Sequence, residues 1–135
     1  MNDVIINKSV SIQRCIKRAR EELELAGDRF SEDYTRQDAA ILNLTRACEQ
    51  AIDLANYVIR RKKLGVPANS DDSFTLLAAA SIIPRELAEK MLKMTGFRNT
   101  AVHEYQQVNI DIVVSIIKVD TEDLVQFTEY MLKIE

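Results

Sequence analysis

Apolar residues recur at alternating steps of three and four along most of the chain, which is the period of amphipathic helices. In the first 26 residues, one such face comprises Ser9, Ile12, Ile16, Ala19, Leu23 and Ala26. Gly27 follows directly and is a plausible C-cap, because glycine tolerates the backbone conformation in which many helices end. The pattern therefore predicts a first helix over residues 5–26.

A second, longer helix is predicted over residues 35–64. Thr35 is the expected N-cap, with Asp38 three residues later where a capping box places an acidic side chain. The helical period is kept by a long apolar set, which comprises Ile41, Leu44, Cys48, Ala51, Ile52, Ala55, Val58 and Ile59. Gly65 and Pro67 are stop signals. We expect this segment to be the central core helix.

Two further helices are predicted in the middle of the chain. A short one is expected over residues 74–80, after the capping residues of the stretch Ser70-Asp71-Asp72-Ser73. The next helix starts with Pro84 at its first position. We expect it to continue past Gly96 to His103, because an interior glycine costs only about 1 kcal/mol relative to alanine.

The last segment opens with a β-branched run that would also suit a strand. Its apolar positions nevertheless keep helical spacing through Ile110, Val113, Ile117, Leu124, Phe127 and Met131. We therefore predict a helix over residues 110–134, with Asn109 as its N-cap.

The composition favours an all-helical domain. At 135 residues the chain has the length of one domain, which we take to span residues 1–135. Its 47% hydrophobic content suffices for a core, whereas 3 glycines and 2 prolines are too few for the turns of a β-sandwich or barrel. The expected fold is all-α, an antiparallel bundle of four or five helices joined by short loops.

The net charge argues against general attraction of nucleic acid or anionic lipid, and the short apolar runs argue against membrane insertion. The formal charge of -3 gives no global positive field for nucleic acid or anionic lipid, so any RNA contact must be local. Two basic clusters could guide an RNA backbone, Arg60-Arg61-Lys62-Lys63 and the set Arg14, Lys17, Arg18 and Arg20. The first also fits a purely structural role, because cations in the last turn of a helix are favoured by its dipole and normally solvated. The longest apolar run is far shorter than the roughly 20 residues that cross a bilayer, and no secretory signal is evident. We expect no membrane span and a cytoplasmic protein.

The metal-ligating residue types are scattered. Cys15 and Cys48 lie far apart without CxxC spacing, and each stands among apolar residues, so we expect two buried thiols. A single histidine without clustered carboxylates falls short of the usual metal-ligand sets, and the chain has no glycine-rich phosphate loop. We therefore expect neither a metal nor a bound cofactor.

Candidate chemistry concentrates in one octet, Arg98-Asn99-Thr100-Ala101-Val102-His103-Glu104-Tyr105, which holds the one histidine. On a regular helix five residues turn about 500°, so the side chains of Arg98 and His103 would point about 140° apart. They converge within one chain only if the helix ends or distorts between them. We therefore expect His103 at a helix C-terminus or in the loop beyond it.

The octet resembles the motif of HEPN domains, and in particular that of the HepT toxins of HepT/MntA toxin–antitoxin systems. It has Asn directly after the Arg, His five positions after the Arg, and Tyr two positions after the His. The resemblance extends to residues 1–8, 41–44, 51–56 and 72–77, and so covers nearly the whole chain. HEPN domains are all-helical, and many are metal-independent ribonucleases. The resemblance implies the toxin of a type VII system, with Arg98 and His103 catalytic and Asn99 supporting them.

The chemistry of RNA cleavage can be compared with these residues. Attack by the ribose 2′-OH needs a base for its proton, a donor for the leaving 5′-oxygen and positive charge at the phosphate. A neutral His103 can take a proton at physiological pH, and Arg98 can hold phosphate oxygens through two donors. One histidine can hardly serve both sides of the phosphate. A two-fold homodimer would bring two copies of each side chain to one phosphate, and HEPN proteins are known for such a composite site.

The resemblance also assigns a role to Tyr105. In HepT toxins the tyrosine of this motif receives AMP from ATP, transferred to its hydroxyl by the MntA nucleotidyltransferase antitoxin. Tyr105 is thereby implied as the AMP acceptor, an MntA-like nucleotidyltransferase as the partner, and ATP as the donor used by that partner. Two residues from His103, an added AMP would put bulk and negative charge where the RNA phosphate must lie.

Two other interpretations stay open from the sequence. In the first, His103 is a loop histidine bonded to backbone, Arg98 forms a surface ion pair with Glu104 or Glu89, and Tyr105 is a packing aromatic with a solvated hydroxyl. A Tyr105 packed fully under the bundle would instead have a hydroxyl that no transferase could reach. In the second, the domain is a non-catalytic module that binds a nucleotidyltransferase or nucleotide and recognises phosphate without breaking it. Loss of RNA cleavage in His103→Ala would favour the enzyme over the module.

Overall fold

The computed structural model describes residues 2–134. Its α-helices are α1 (Asp3–Ala26), α2 (Tyr34–Lys62), α3 (Ser70–Ala79), α4 (Arg85–His103), α5 (Ile110–Ser115) and α6 (Thr121–Leu132). A π-helical turn over Ile116–Asp120 joins α5 to α6, so that the last two form one continuous helical segment. Residues 2–134 contain no strand, and with α5 and α6 taken together the bundle has five helices. The all-α prediction is confirmed.

The predicted ends of α1 and α5 hold in the structure. Gly27 ends α1 with a φ of 56°, a conformation that a residue with a Cβ atom adopts only at a cost. Asn109 caps α5, because its Oδ1 accepts hydrogen bonds from the backbone N–H groups of Asp111 at 2.8 Å and Ile112 at 3.3 Å. Both ends follow from local chemistry that the sequence displays directly.

The predicted capping box at the start of α2 is wrong. The N-cap is Asp33, whose Oδ1 accepts a hydrogen bond from the Arg36 backbone N–H at 3.1 Å, and Thr35 lies inside the first turn. Asp33 also forms an ion pair of 3.5 Å with the Arg36 side chain, which adds to an already favourable cap because Asp ranks above Thr at this position. The Asp38 side chain is thereby left free of any capping role and contacts Tyr105 instead.

Smaller corrections apply to α3 and α4. The N-cap of α3 is Asn69, one residue before the predicted capping stretch, and its Oδ1 accepts the N–H of Asp72 at 3.0 Å. Pro84 is the N-cap of α4 and not its first helical residue. The helix does continue past Gly96 to His103, as predicted.

The core lies between α1, α2, α4 and α6, with α3 packed against one side. α2 is the central helix, as predicted, and buries residues along most of its length. Phe74 of α3 packs edge-on against Phe127 of α6, with ring centroids 5.5 Å apart and an angle of 79° between the rings. This contact joins α3 to α6, whereas α2 packs directly against α4, the helix that carries the octet. In the described part of the chain, no helix combines the length and apolarity required to cross a membrane.

The π-helical turn was not predicted. In a π-turn one extra residue is inserted per turn, so the face that a helix buries shifts by one position. Ile116 and Ile117 are both buried there, and the Thr121 hydroxyl donates a hydrogen bond to the Ile117 carbonyl oxygen at 2.8 Å. The side chain of Thr121, fully buried, is thus satisfied within its own helix.

Candidate functional site

The octet lies at the C-terminal end of α4 and in the turn that follows. Arg98 and His103 both belong to α4, and Tyr105 opens a short 3-10 turn, Tyr105–Gln107. Glu104 follows the last helical residue, and its N–H donates to the Thr100 carbonyl oxygen at 2.8 Å. His103 is therefore at a helix C-terminus, as predicted.

The helix does not distort between Arg98 and His103, because α4 remains α-helical over this whole stretch. Their side chains accordingly leave the axis about 140° apart. One chain alone does not bring the two candidate catalytic groups together. His103 is exposed, and its ring forms no hydrogen bond or ion pair with any described residue, which leaves both ring nitrogens free for a substrate.

The Arg98 guanidinium is held from two sides. Its Nε lies 3.5 Å from Oε1 of Glu49 on α2, and its Nη1 donates a hydrogen bond to Oδ1 of Asn99 at 3.0 Å. The side chain is only 27% exposed, and the Nε atom itself is buried. The non-catalytic interpretation paired Arg98 with Glu104 or Glu89, but the observed partner is Glu49, which the packing of α2 against α4 makes possible. Asn99 thus contacts the Arg98 guanidinium directly.

The cysteines lie in the core as free thiols, which confirms the prediction. Burial raises the pKa of Cys48 to about 12, although the positive charge of Arg98 acts in the opposite direction. Burial also raises the pKa of Cys15. Thiols that stay protonated are poor nucleophiles and poor metal ligands, so neither cysteine contributes to the chemistry of the octet.

Tyr105 is at the surface and is 45% exposed. Its hydroxyl donates a hydrogen bond to Oδ1 of Asp38, a residue 67 positions earlier on the first turns of α2. Partial burial, the hydrogen bond to Asp38 and the negative charge of Asp38 together raise the pKa of Tyr105 to about 12. The interpretation with a buried, unreachable hydroxyl is therefore wrong, because the hydroxyl lies at the rim of the bundle.

Sequence reasoning missed Glu49 and Asp38 as parts of this site. Glu49 is one of several charged residues on α2, and Asp38 was assigned to a helix cap. No local pattern distinguishes either residue, because each meets the octet only through the packing of α2 beside the end of α4. They would have been found by considering each acidic residue of the central helix as a partner for the polar side chains of the octet.

Both predicted basic clusters are exposed. Residues 60–63 lie at the end of α2, and the cations of α1 line its outer face. Arg20 is engaged by α6, since its Nη2 donates to the Thr121 hydroxyl at 2.9 Å and lies 3.7 Å from the Glu122 carboxylate. Within residues 2–134, no three His, Cys, Asp or Glu side chains gather in a group that could hold a metal ion.

Comparison with known proteins gives consistent matches along the chain. The family described as "Ribonuclease HepT-like" matches residues 12–131. The "mRNA nuclease HepT" of Shewanella oneidensis is 49% identical over 129 residues, which is 96% of each protein. These matches span the octet and the helices that position it.

Solved structures show the same fold. The tri-AMPylated Shewanella oneidensis HEPN toxin in complex with an MNT antitoxin superposes with a TM-score of 0.92 at 48% identity, over 98% of each chain. A chain of a toxin–antitoxin complex with AMP-PNP gives a TM-score of 0.91 at 46% identity, over 97% of this chain and 99% of that one. With a family match over most of its length and close relatives over nearly all of it, the chain belongs to the HepT-like ribonuclease family.

Proposed function

We propose that this chain is an RNA-cleaving toxin of a type VII toxin–antitoxin pair, built as a single HEPN domain over residues 1–135. The observation that carries the proposal is the end of α4, where a fixed arginine, an exposed histidine and a surface tyrosine hydroxyl share one octet. The 49% identity to an mRNA nuclease over 96% of both chains supports RNA as the substrate. Since mRNA is cytoplasmic, the proposed site of action is the cytoplasm.

In this proposal, Arg98 and His103 are the catalytic residues. His103 takes the proton of the ribose 2′-OH, the 2′-oxygen attacks phosphorus, and the bond to the 5′-oxygen breaks as that oxygen receives a proton. Arg98 stabilises the charge that develops on the phosphate oxygens, and Asn99 keeps its guanidinium in place. These steps use side chains alone, so we propose cleavage that requires no metal.

The proposed site is composite and lies in a homodimer. The regular course of α4 directs Arg98 and His103 away from each other within one chain. A two-fold axis beside the end of α4 would bring two copies of each residue to one phosphate, with one histidine as base and the other as acid. Dimerisation thereby supplies the second histidine that the chain lacks.

The proposed control is transfer of AMP to Tyr105 by an MntA-like nucleotidyltransferase antitoxin, with ATP as the donor bound by that partner. The exposed Tyr105 hydroxyl supports this role, as does the AMPylated state of the similar Shewanella toxin in its complex with an MNT antitoxin. An AMP group so near to His103 adds bulk and negative charge at the position of the RNA phosphate. It silences the toxin without unfolding it.

The decisive experiment compares wild type with His103→Ala for cleavage of an mRNA in a buffer with a chelator. We expect cleavage by wild type and none by His103→Ala, while Gln106→Ala, an exposed change in the next turn, cleaves like wild type. Arg98→Lys should cleave at least tenfold more slowly, because lysine keeps the charge but not the planar set of donors. Full activity of both octet variants would refute the catalytic assignment, and an inactive wild type that still binds the antitoxin would favour the binding module.

A further inference from the structure

Asp38 is an acidic side chain with no structural task of its own in the bundle. It lies exposed on α2, outside the cap that Asp33 provides. Its one hydrogen bond to a described side chain comes from the Tyr105 hydroxyl, across 67 positions of sequence. The fold thus brings a carboxylate to the single hydroxyl that the proposed function assigns as the AMP acceptor.

We propose that Asp38 is a catalytic residue of AMP transfer, the base that takes the proton of the Tyr105 hydroxyl as this oxygen attacks the α-phosphorus of ATP. The inference rests on the proposed function, because it concerns the same modification of Tyr105. It means that the modified protein, and not only the modifying enzyme, supplies a group to the reaction.

The reaction balances with the groups named. The bond between the Tyr105 oxygen and the α-phosphorus forms, and the bond from that phosphorus to the bridging oxygen of the β-phosphate breaks. Pyrophosphate leaves with its electron pair, and the phenolic proton passes to the Asp38 carboxylate along the existing hydrogen bond. ATP arrives with the nucleotidyltransferase, and no oxidant or reductant is involved.

The geometry suits an attacking oxygen. Because the hydroxyl hydrogen points to Asp38, the lone pairs of the oxygen are directed elsewhere and stay available to phosphorus. The tyrosine is 45% exposed, so a nucleotide held by a partner enzyme can reach it. The donor and the acceptor of the proton are thus aligned before the partner binds, so the entropy cost of aligning them is met before the reaction.

The Tyr105 hydroxyl needs a base because it is a very weak acid. The pKa of Tyr105 is raised to about 12, so almost no phenolate is present at neutral pH. Attack by the neutral hydroxyl requires the proton to leave as the new bond forms, and a positioned base typically accelerates such a step by about 10²–10⁴-fold. The negative charge of Asp38 disfavours a free phenolate at Tyr105, but the same carboxylate can accept the phenolic proton during the attack.

The test is the rate of AMP addition to Tyr105, followed by intact mass and peptide mapping. The modifying enzyme is the MNT antitoxin of the similar Shewanella complex, supplied with ATP over a range of pH. Asp38→Asn keeps the size of the side chain but takes up no proton. We expect it to be modified at least tenfold more slowly than wild type at neutral pH, and its rate to rise with pH as phenolate forms.

Glu104→Gln is the matched control, since it removes an exposed carboxylate next to Tyr105 that does not contact the hydroxyl. It should keep the rate and pH profile of wild type, and Asp38→Glu should recover part of the rate. An Asp38→Asn variant with the wild-type rate and pH profile would overturn the inference while leaving the modification itself in place. Unchanged AMP addition to Tyr105→Phe, or none to wild type, would instead overturn the proposed acceptor.

Discussion

The Nε atom of Arg98 lies 3.5 Å from the carboxylate of Glu49, which ties the end of α4 to the middle of α2. Because this Nε is buried and has no hydrogen-bond partner, the ion pair is the contact that compensates its charge there. Nη1 donates one hydrogen bond to Asn99, so the other Nη hydrogens remain for an anion. Glu49 therefore determines where Arg98 presents its remaining donors.

Glu49→Gln should weaken RNA cleavage several-fold, mainly in kcat, because Arg98 loses the charge that orients it. The free energy of unfolding should change by only about 1 kcal/mol or less, since Glu49 is 43% exposed and pairs at the surface contribute little. Cleavage kinetics and denaturant titrations measure the two effects. Asp53→Asn, which removes another acid of α2 that pairs with Lys8 at 3.7 Å, is the control and should cleave normally. Unaltered kinetics in Glu49→Gln would show that Arg98 is positioned without it.

Subunit mixing tests the composite site. Wild type and His103→Ala are unfolded together in equal amounts and refolded, so that the chains pair at random. If both histidines act on one phosphate, only the dimers with two wild-type chains are active, about a quarter of the total. If each chain works alone, half of the activity remains. Cleavage assays at several mixing ratios distinguish a quadratic from a linear dependence on the wild-type fraction, and a linear result would exclude the two-histidine site.

Spectroscopic titration tests the contact between Tyr105 and Asp38 without any partner. The difference in phenolate absorbance between wild type and Tyr105→Phe should show Tyr105 ionising with a pKa of about 12. In Asp38→Asn that pKa should fall toward the ordinary tyrosine value, because the hydrogen-bonded carboxylate no longer opposes the phenolate. A curve unchanged by Asp38→Asn would mean that the two side chains are apart in solution.

The same pKa shift predicts how stability depends on pH. The folded state holds the Tyr105 proton more tightly than the unfolded chain, whose tyrosine titrates near 10. The contribution of Tyr105 to stability is therefore fully present below about pH 10 and is lost as the pH rises through about 12. Between about pH 10 and 12, denaturant titrations should show a smaller loss of the free energy of unfolding in Tyr105→Phe than in wild type. Equal losses in both proteins would argue against the raised pKa.

Capping variants test the start of α2. Asp33→Ala should lower the free energy of unfolding by about 1 kcal/mol, because it removes the acceptor for the Arg36 backbone N–H. Thr35→Ala should have little effect, since the Thr35 side chain is exposed within the first turn. Urea denaturation of both variants measures the difference. A larger loss in Thr35→Ala would restore the cap predicted from sequence.

Much of the fold is determined by the sequence because its signals are local. Apolar residues at helical spacing determine the buried faces of α1, α2 and α6. The backbone of Gly27 ends α1 and the side chain of Asn109 starts α5, and each does so through contacts with its own neighbours in sequence. The octet is likewise visible as a motif, and the helix period alone shows that Arg98 and His103 diverge. These features depend on residues at most a few turns apart.

The contacts that other helices make with this octet were decided by the tertiary structure alone. Glu49 reaches Arg98 and Asp38 reaches Tyr105 only because α2 packs beside the end of α4, at a register and angle that no short stretch of sequence encodes. The π-turn that buries both Ile116 and Ile117 is a similar case. Helical periodicity identifies which side chains face inward or outward, whereas the packing of one helix on another selects the partners that they meet.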